Sequence, residues 1–204
     1  MAQLIDGTKE DQLSKALGRR PNVRLLREER QEGFSKAYNF GACAAIGKQI
    51  IWLNDDCEII SPWLETVLNF METHPNVGVG GIVYDEGRGE MRRKAYGWYS
   101  PNFGCTPARV WQQFGGFDEI YHSYGAETDY CMRVMEAGYE VVEIPGVCIW
   151  HEEAPSFRET MECHRVPGRE LFHRRWAGER VGRLRERFGT LPLSPAKPEG
   201  ATPA

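Results

Sequence analysis

The stretch Gln49-Ile50-Ile51-Trp52-Leu53-Asn54-Asp55-Asp56-Cys57-Glu58 is apolar at its centre and ends abruptly in an amide and two carboxylates. A continuous apolar run reads as a strand covered on both faces, as in the parallel sheets of α/β proteins. Ligands of open α/β sheets gather outside the carboxyl ends of such strands, so the run places Asn54, Asp55 and Asp56 at a rim where chemistry is common. Adjacent carboxylates raise each other's pKa unless a cation or strong donors compensate. Oxygen ligands suit Mg²⁺ or Mn²⁺, which bridge one or two carboxylates to substrate phosphates. A strand ending in a solvated acidic turn is the plainer alternative, and this run alone leaves both open.

Strand and helix patterns alternate around it. Leu4-Ile5 leads into Asp6-Gly7-Thr8, Val23 to Leu26 reads as a short strand, and Ser35 to Ile46 has helical spacing closed by Gly47. Ser61-Pro62 has the N-cap and N1 chemistry of a helix that carries Trp63, Leu64, Val67, Leu68 and Met71 on one face. Val77 to Val83 is the next strand, Gly87 to Lys94 a polar hairpin or loop, and Pro107 to Phe114 a short helix. Thr128 to Ala137 is a helix stopped by Gly138, and Tyr139 to Ile144 a strand ahead of Pro145. This alternation predicts an α/β fold with a mostly parallel sheet flanked by helices.

With 204 residues, 41% of them hydrophobic, the chain can bury one α/β core. No apolar run approaches the roughly 20 residues that span a bilayer, and the N-terminus lacks the apolar stretch of a signal peptide, so a cytoplasmic location is expected. The net charge of -4 gives no reason to expect a nucleic-acid partner. Cys43, Cys57, Cys105, Cys131, Cys148 and Cys163 show no CxxC or Cys/His ligand spacing. Sequence spacing thus speaks against a zinc site, and without a secretory signal against a disulfide framework.

From Pro167 the character changes. Eight arginines between Arg165 and Arg187 flank the apolar spacing of Phe172, Trp176, Val181, Leu184 and Phe188. Residues 167–190 are therefore expected to form a basic amphipathic helix, docked on residues 1–166, on a protein partner, or peripherally on an anionic membrane. Residues 191–204, rich in Pro and small side chains, are expected to be a disordered tail.

Two further clusters carry polar chemistry. Gly115-Gly116-Phe117-Asp118-Glu119 precedes Glu127-Thr128-Asp129, whose carboxylates straddle a helix start where the macrodipole favours anions. Either carboxylate can serve as a base or merely cap the helix. The third is His151, after the apolar Ile149-Trp150, which is open to a ligand role or a structural one.

Taken in order, Gly33 to Gly41, Leu53-Asn54-Asp55-Asp56, Gly115 to Glu119, Glu127-Thr128-Asp129 through Arg133 with Ala137-Gly138-Tyr139, and His151 resemble the family 2 glycosyltransferases of the GT-A fold. The resemblance extends from about Leu4 to Trp176 and is nearest the rhamnosyltransferase-like members that decorate bacterial surface polysaccharides. It implies a Rossmann-like GT-A domain that moves a sugar from a nucleotide-diphosphate donor to a carbohydrate or lipid-linked acceptor hydroxyl, with inversion and a divalent cofactor, Mn²⁺ or Mg²⁺. By this resemblance Asn54-Asp55-Asp56 is the DxD-type motif, with Asp56 on the metal and Asp55 or Asn54 on the ribose or the metal's waters. Asp6 would contact the nucleotide, and Gly33 and Asn39 would lie beside it. Gly116, Phe117, Asp118 and Glu119 would form the acceptor-side loop, His151 would add a metal ligand, and Glu127 would be the catalytic base with Asp129 orienting the acceptor or capping the helix.

The chemistry calls for these residue types. Departure of a diphosphate develops negative charge that a Lewis-acidic cation neutralises, and the attacking hydroxyl needs a carboxylate within hydrogen-bond reach. The chain departs from the family pattern in two places. Ala126-Glu127 stands where the family usually has Glu-Asp. The family's opening strand and helix would precede Leu4, and a sheet lacking that strand would expose an unpaired edge. These departures keep two other readings in view: a non-catalytic relative that binds donor or scaffolds a partner, and a metal-dependent phosphohydrolase built on Asp55, Asp56 and His151.

Overall fold

The computed structural model describes residues 2–6, 20–30, 32–59, 63–85, 91–92, 101–151 and 167–188. The expected Ser61-Pro62 cap, most of the 87–94 hairpin, Cys163 and the 191–204 tail lie outside them. β1 (Ala2–Asp6) and β2 (Val23–Arg27) pair in parallel as a two-stranded sheet. The main sheet is built from β3 (Gln49–Trp52), β4 (Cys57–Glu58), β5 (Val77–Asp85), β6 (Met91–Arg92), β7 (Phe103–Pro107) and β8 (Glu140–His151). Its order is β3-β7-β5-β8-β4, with β6 paired to β5.

The α/β class holds, but the expectation of a mostly parallel sheet is corrected to a mixed one. Within the main sheet β5 and β8 are parallel, whereas β3–β7, β5–β7, β5–β6 and β4–β8 are antiparallel. An apolar run reports burial on both faces, not strand direction. The strand that reverses the sheet, β7, is Phe-Gly-Cys-Thr-Pro, whose Gly and Pro conceal it in the sequence. All five of its residues are buried. Its Gly104 is needed for close approach, since a Cβ there would meet the Trp52 ring at 2.5 Å.

Helices cover both faces. Side chains alternate across a strand, and Ile51 and Trp52, like Val142 and Val141, go to different core clusters. On one face α2 (Leu64–Thr73) delivers Val67 and Met71, which pack with Ile82, Phe103, Ile144 and Ile149. On the other, α1 (Phe34–Ala44), α3 (Ala108–Phe114) and α4 (Ala126–Glu136) pack around an aromatic centre of Trp52, Trp111, Phe117 and Tyr130. Phe117 meets Trp111 at 4.9 Å and Trp52 and Tyr130 at 5.7 Å, all edge to face. Such pairs each add about 0.5–1.5 kcal/mol beyond the area they bury.

The anticipated single C-terminal helix is two: α5 over residues 167–175 and α6 (Glu179–Phe188), separated by a turn at Gly178, whose φ is +61°. Trp176 and Leu184 are buried against the α4 side of the core. Arg180 lies over the Trp176 ring at 3.8 Å and binds Glu136 of α4 through both nitrogens at 2.7 and 2.6 Å. Part of the basic character of this segment is therefore turned inward. Among the described residues, no helix is long and apolar enough to cross a membrane.

β8 is one 12-residue strand rather than two pieces separated by Pro145. Its pairing with β5 shifts register between Gly81↔Glu143 and Val83↔Cys148, and Gly146 takes a φ of +75° there. This irregularity carries the strand past the proline to His151.

Gly104→Ala is expected to destabilise the fold by about 1–3 kcal/mol, the cost of overpacking a filled core. Urea unfolding checks this: the midpoint falls while the slope stays unchanged.

Candidate functional site

The tip of β3 and the start of β4 form a tight turn over Leu53 to Asp56, with Asp55 exposed and Asp56 partly covered. β4 then pairs antiparallel with the end of β8, placing Cys57 directly opposite His151. Directly opposed residues on an antiparallel pair have neighbouring side chains. As a result Asp56, Cys57 and His151 each offer a ligand atom within 4.8 Å of the other two. The structure thus brings together Asp56 and His151, the two expected metal ligands, and adds a thiol that sequence spacing did not suggest.

Polar satisfaction in this group is incomplete. Asp56 Oδ1 and both His151 ring nitrogens are buried and have no hydrogen-bond partner among the described residues. His151 Nε2 approaches Asp56 Oδ1 to 3.2 Å, but not with hydrogen-bond geometry. Tyr84 and Phe103 wall the imidazole, with ring centroids 5.4 and 5.2 Å away. Buried polar atoms are nearly always paired. Orphaned oxygen and nitrogen atoms that converge fit a bound cation, and their donor types suit a divalent one. The Cys57 thiol, desolvated and beside Asp56 and Asp55, is pushed up to about 12 although the Asn54 N–H donates to its sulfur.

Tyr38 of α1 joins this turn to the rest of the site. Its hydroxyl donates to the Leu53 carbonyl at 2.7 Å and reaches the Asn54 amide oxygen at 2.9 Å. Burial, followed by the nearby Cys57, Asp55, Glu127 and Asp56, pushes the phenol well above its ordinary value. The carboxylates of the acidic turn and of Glu127 in the first turn of α4 thus both act electrostatically on this hydroxyl. Tyr38 sits inside the Gly33–Gly41 run, yet no sequence argument gave it a role.

α4 begins at Gly125, whose φ of +95° lets the chain turn into the helix. Glu127 is buried at 7% exposure in the first turn, where the helix dipole favours a carboxylate. Asp129 is fully buried and enclosed by donors. Arg133 Nε binds one oxygen at 2.7 Å, Trp176 Nε1 binds the other at 2.8 Å, Arg175 Nε lies 3.2 Å from it, and the Tyr121 hydroxyl 3.4 Å. A carboxylate so enclosed holds the surrounding segments in place.

The 114–119 loop is fastened from two sides. The Asn39 amide donates to the Phe117 carbonyl at 2.8 Å and to Glu119 at 3.1 Å, and accepts from the Phe117 N–H at 3.0 Å. Arg133 donates to the Phe114 and Gly116 carbonyls at 2.6 and 2.7 Å. Gly116, with a φ of +70°, lies so close to Asn39 Oδ1 that a Cβ would stand 2.5 Å away. The Phe117 ring is 1% exposed and packs in the core. Asp118 pairs with Arg175 at 2.5 Å; burial works against its ionisation, but the Arg175 hydrogen bond prevails and lowers its pKa. Asn39, the loop, Arg133 and Arg175 enclose a cavity of about 370 Å³. Gly33 caps α1 against His122 rather than in this cavity, and Asp6 ends β1 opposite Arg27. Arg175 and Trp176 were missed because their partners lie dozens of residues away.

The sequence pattern of the family described as Glycosyl transferase family 2 matches residues 5–135. Over 58 residues the chain is 40% identical to polypeptide N-acetylgalactosaminyltransferase 12 of Mus musculus, a match covering 28% of this chain and 10% of that protein. Among solved structures it resembles a mannosyltransferase from Pyrobaculum calidifontis in complex with GDP-Man and Mn²⁺, with a TM-score of 0.63, 16% identity, and 79% of this chain and 51% of that chain covered. It also resembles GalNAc-T7 with UDP, GalNAc and Mn²⁺, with a TM-score of 0.61 and 16% identity over 74% of this chain and 37% of that one. S. aureus TarS 1-349 in complex with UDP gives 0.60 and 15% over 78% and 53%. The chain spans about a tenth of the curated relative and between a third and just over half of these solved chains.

Asp129→Ala, which removes the buried carboxylate shared by Arg133, Arg175 and Trp176, is expected to cost about 3–5 kcal/mol, the usual loss on breaking a buried ion pair from one side. Denaturant melts of the variant measure it, with quenching of Trp176 fluorescence reporting release of the C-terminal helices.

Proposed function

Because the chain belongs to glycosyl transferase family 2, we propose that it transfers a sugar, with inversion, from a nucleotide-diphosphate donor to an acceptor hydroxyl. The observation that carries this reading is the convergence, at the strand tip, of buried Asp56 and His151 atoms that have no hydrogen-bond partner among the described residues. The solved neighbours with UDP or GDP-Man and Mn²⁺ support a nucleotide sugar and a divalent metal as its ligands. Asp56 and His151 would hold the ion, and a divalent cation there supplies neutralisation of the departing diphosphate.

The protein's own groups do the rest. Asp55 or Asn54 would contact the donor's ribose or the metal's waters, and Asp6 the nucleotide. The acceptor oxygen attacks the anomeric carbon as that carbon's bond to the phosphate oxygen breaks, and the hydroxyl proton passes to the Glu127 carboxylate. Tyr38 holds the Leu53-Asn54 turn through its hydroxyl. The Asp118 and Glu119 carboxylates border the cavity in which a carbohydrate or lipid-linked acceptor sits. Residues 1–166 form the transferase unit and the helices from 167 onward brace it, with their outward arginines available to a partner or an anionic membrane at the cytoplasmic face. Surface polysaccharide or glycoconjugate synthesis is the setting that fits this chemistry.

The test is a panel of nucleotide sugars and sugar acceptors with Mn²⁺ or Mg²⁺. Glu127→Gln is expected to lower kcat by about 10²–10⁴-fold, the usual contribution of a general base, and to leave donor affinity by calorimetry unchanged. Retained donor binding without turnover or donor hydrolysis in the wild-type chain would convert the reading to a non-catalytic relative. Phosphate release that survives Glu127→Gln would convert it to a phosphohydrolase.

A further inference from the structure

The sulfur of Cys57 is the softest donor in the strand-tip group. Magnesium and manganese take oxygen ligands, whereas thiolates select zinc, cadmium and cobalt. Three features bring this sulfur into the site. The β4–β8 register sets Cys57 opposite His151. Its Sγ lies within 4.8 Å of ligand atoms on both Asp56 and His151. Those two residues present buried atoms with no hydrogen-bond partner among the described residues. The Tyr84 and Phe103 rings beside the imidazole leave it apolar neighbours instead of competing polar ones.

We propose that Cys57 is a third protein ligand, so that the metal centre of this chain is an Asp56–Cys57–His151 set selective for thiophilic divalent ions over manganese and magnesium. This rests on the reading of Asp56 and His151 as a metal site, and adds to it a residue that determines which ion is chosen. Binding displaces the thiol proton to solvent and leaves the thiolate on the metal. A set of one carboxylate, one thiolate and one imidazole matches zinc sites that keep a position open for substrate. It also explains how a chain without any CxxC can hold such an ion: the ligands are gathered by a strand pairing instead of by sequence spacing.

A preference for zinc over manganese is not diagnostic in itself, because nearly any nitrogen and oxygen site shows it. The discriminating quantity is what removal of the sulfur does to the ratio. The full chain is titrated with Co²⁺ and Cd²⁺ by ultraviolet absorption and with Mn²⁺ by electron paramagnetic resonance, in the wild type, Cys57→Ser and His151→Ala. Circular dichroism confirms that each variant is folded. The expected result is a sulfur-to-metal charge-transfer band in the wild type that Cys57→Ser abolishes. The Cd²⁺ to Mn²⁺ affinity ratio should fall by about 10-fold or more in Cys57→Ser, on the scale of losing metal-site support, with Mn²⁺ affinity little changed. Cys43, Cys105, Cys131 and Cys148 are also free thiols, so a band that persists in Cys57→Ser overturns the proposal. Binding of Mn²⁺ and Co²⁺ that depends on His151 but gives no Cys57-dependent band also overturns it, and leaves the metal site standing. Failure of the wild type to bind any of the ions, or binding indifferent to His151, overturns both.

Discussion

A fully buried carboxylate is the constraint around which this fold is arranged. Removing a charge from water is expensive unless the geometry and hydrogen bonding around it are complete, and Asp129 is met by Arg133, Arg175, Trp176 and Tyr121. Each donor comes with obligations of its own. Arg133 spends its remaining nitrogens on the carbonyls of the 114–116 loop. Arg175 also pairs with Asp118, and Trp176 ties the C-terminal helices to α4 through its ring and Arg180. One carboxylate therefore holds three chain segments that sequence separates widely, and Glu127 takes its position from the same helical turn.

The site combines two kinds of support. Glu127 and the 114–119 loop rest on packed aromatic rings and buried ion pairs, so they are set by the core. The Leu53–Asp56 turn is held more lightly, through the β4–β8 pair and the Tyr38 hydroxyl. In the proposed reading the base is fixed by the scaffold, as proton transfer demands hydrogen-bond geometry, and the cation sits on the more lightly held turn.

Much of this was legible in the sequence, and the failures have physical causes. The acid-tipped strand, the helices from Phe34, Leu64 and Ala126, and the strand from Val77 all follow from periodicity, because burial on a regular element leaves a regular trace. Asp56 and His151 were readable as a pair through the order of motifs. Strand direction was not, since an apolar run looks the same in either sense, and β7 was hidden by its Gly and Pro. Asp129 looked like an ordinary acid in a helical first turn, because the donors that bury it, Trp176 and Arg175, lie more than forty residues away. Cys57 looked like one more buried thiol until the strand pairing set it across from His151. Long-range partners leave no local pattern, and these were the residues that sequence reasoning passed over.

The irregularity at Pro145-Gly146 settles which way His151 faces. Ahead of it, Val142 and Ile144 point to the core cluster that contains Phe103; beyond it, Val147 and Ile149 point to the same cluster. Simple alternation would have turned the second pair, and His151 with them, to the other side of the sheet. The strand thus changes parity at a proline and a glycine with open space around it. Whether this polypeptide has a cation site at all is decided by a count of residues in a segment that contributes no ligand, and a loss or gain of one there would erase the site while leaving every one of its side chains in the sequence.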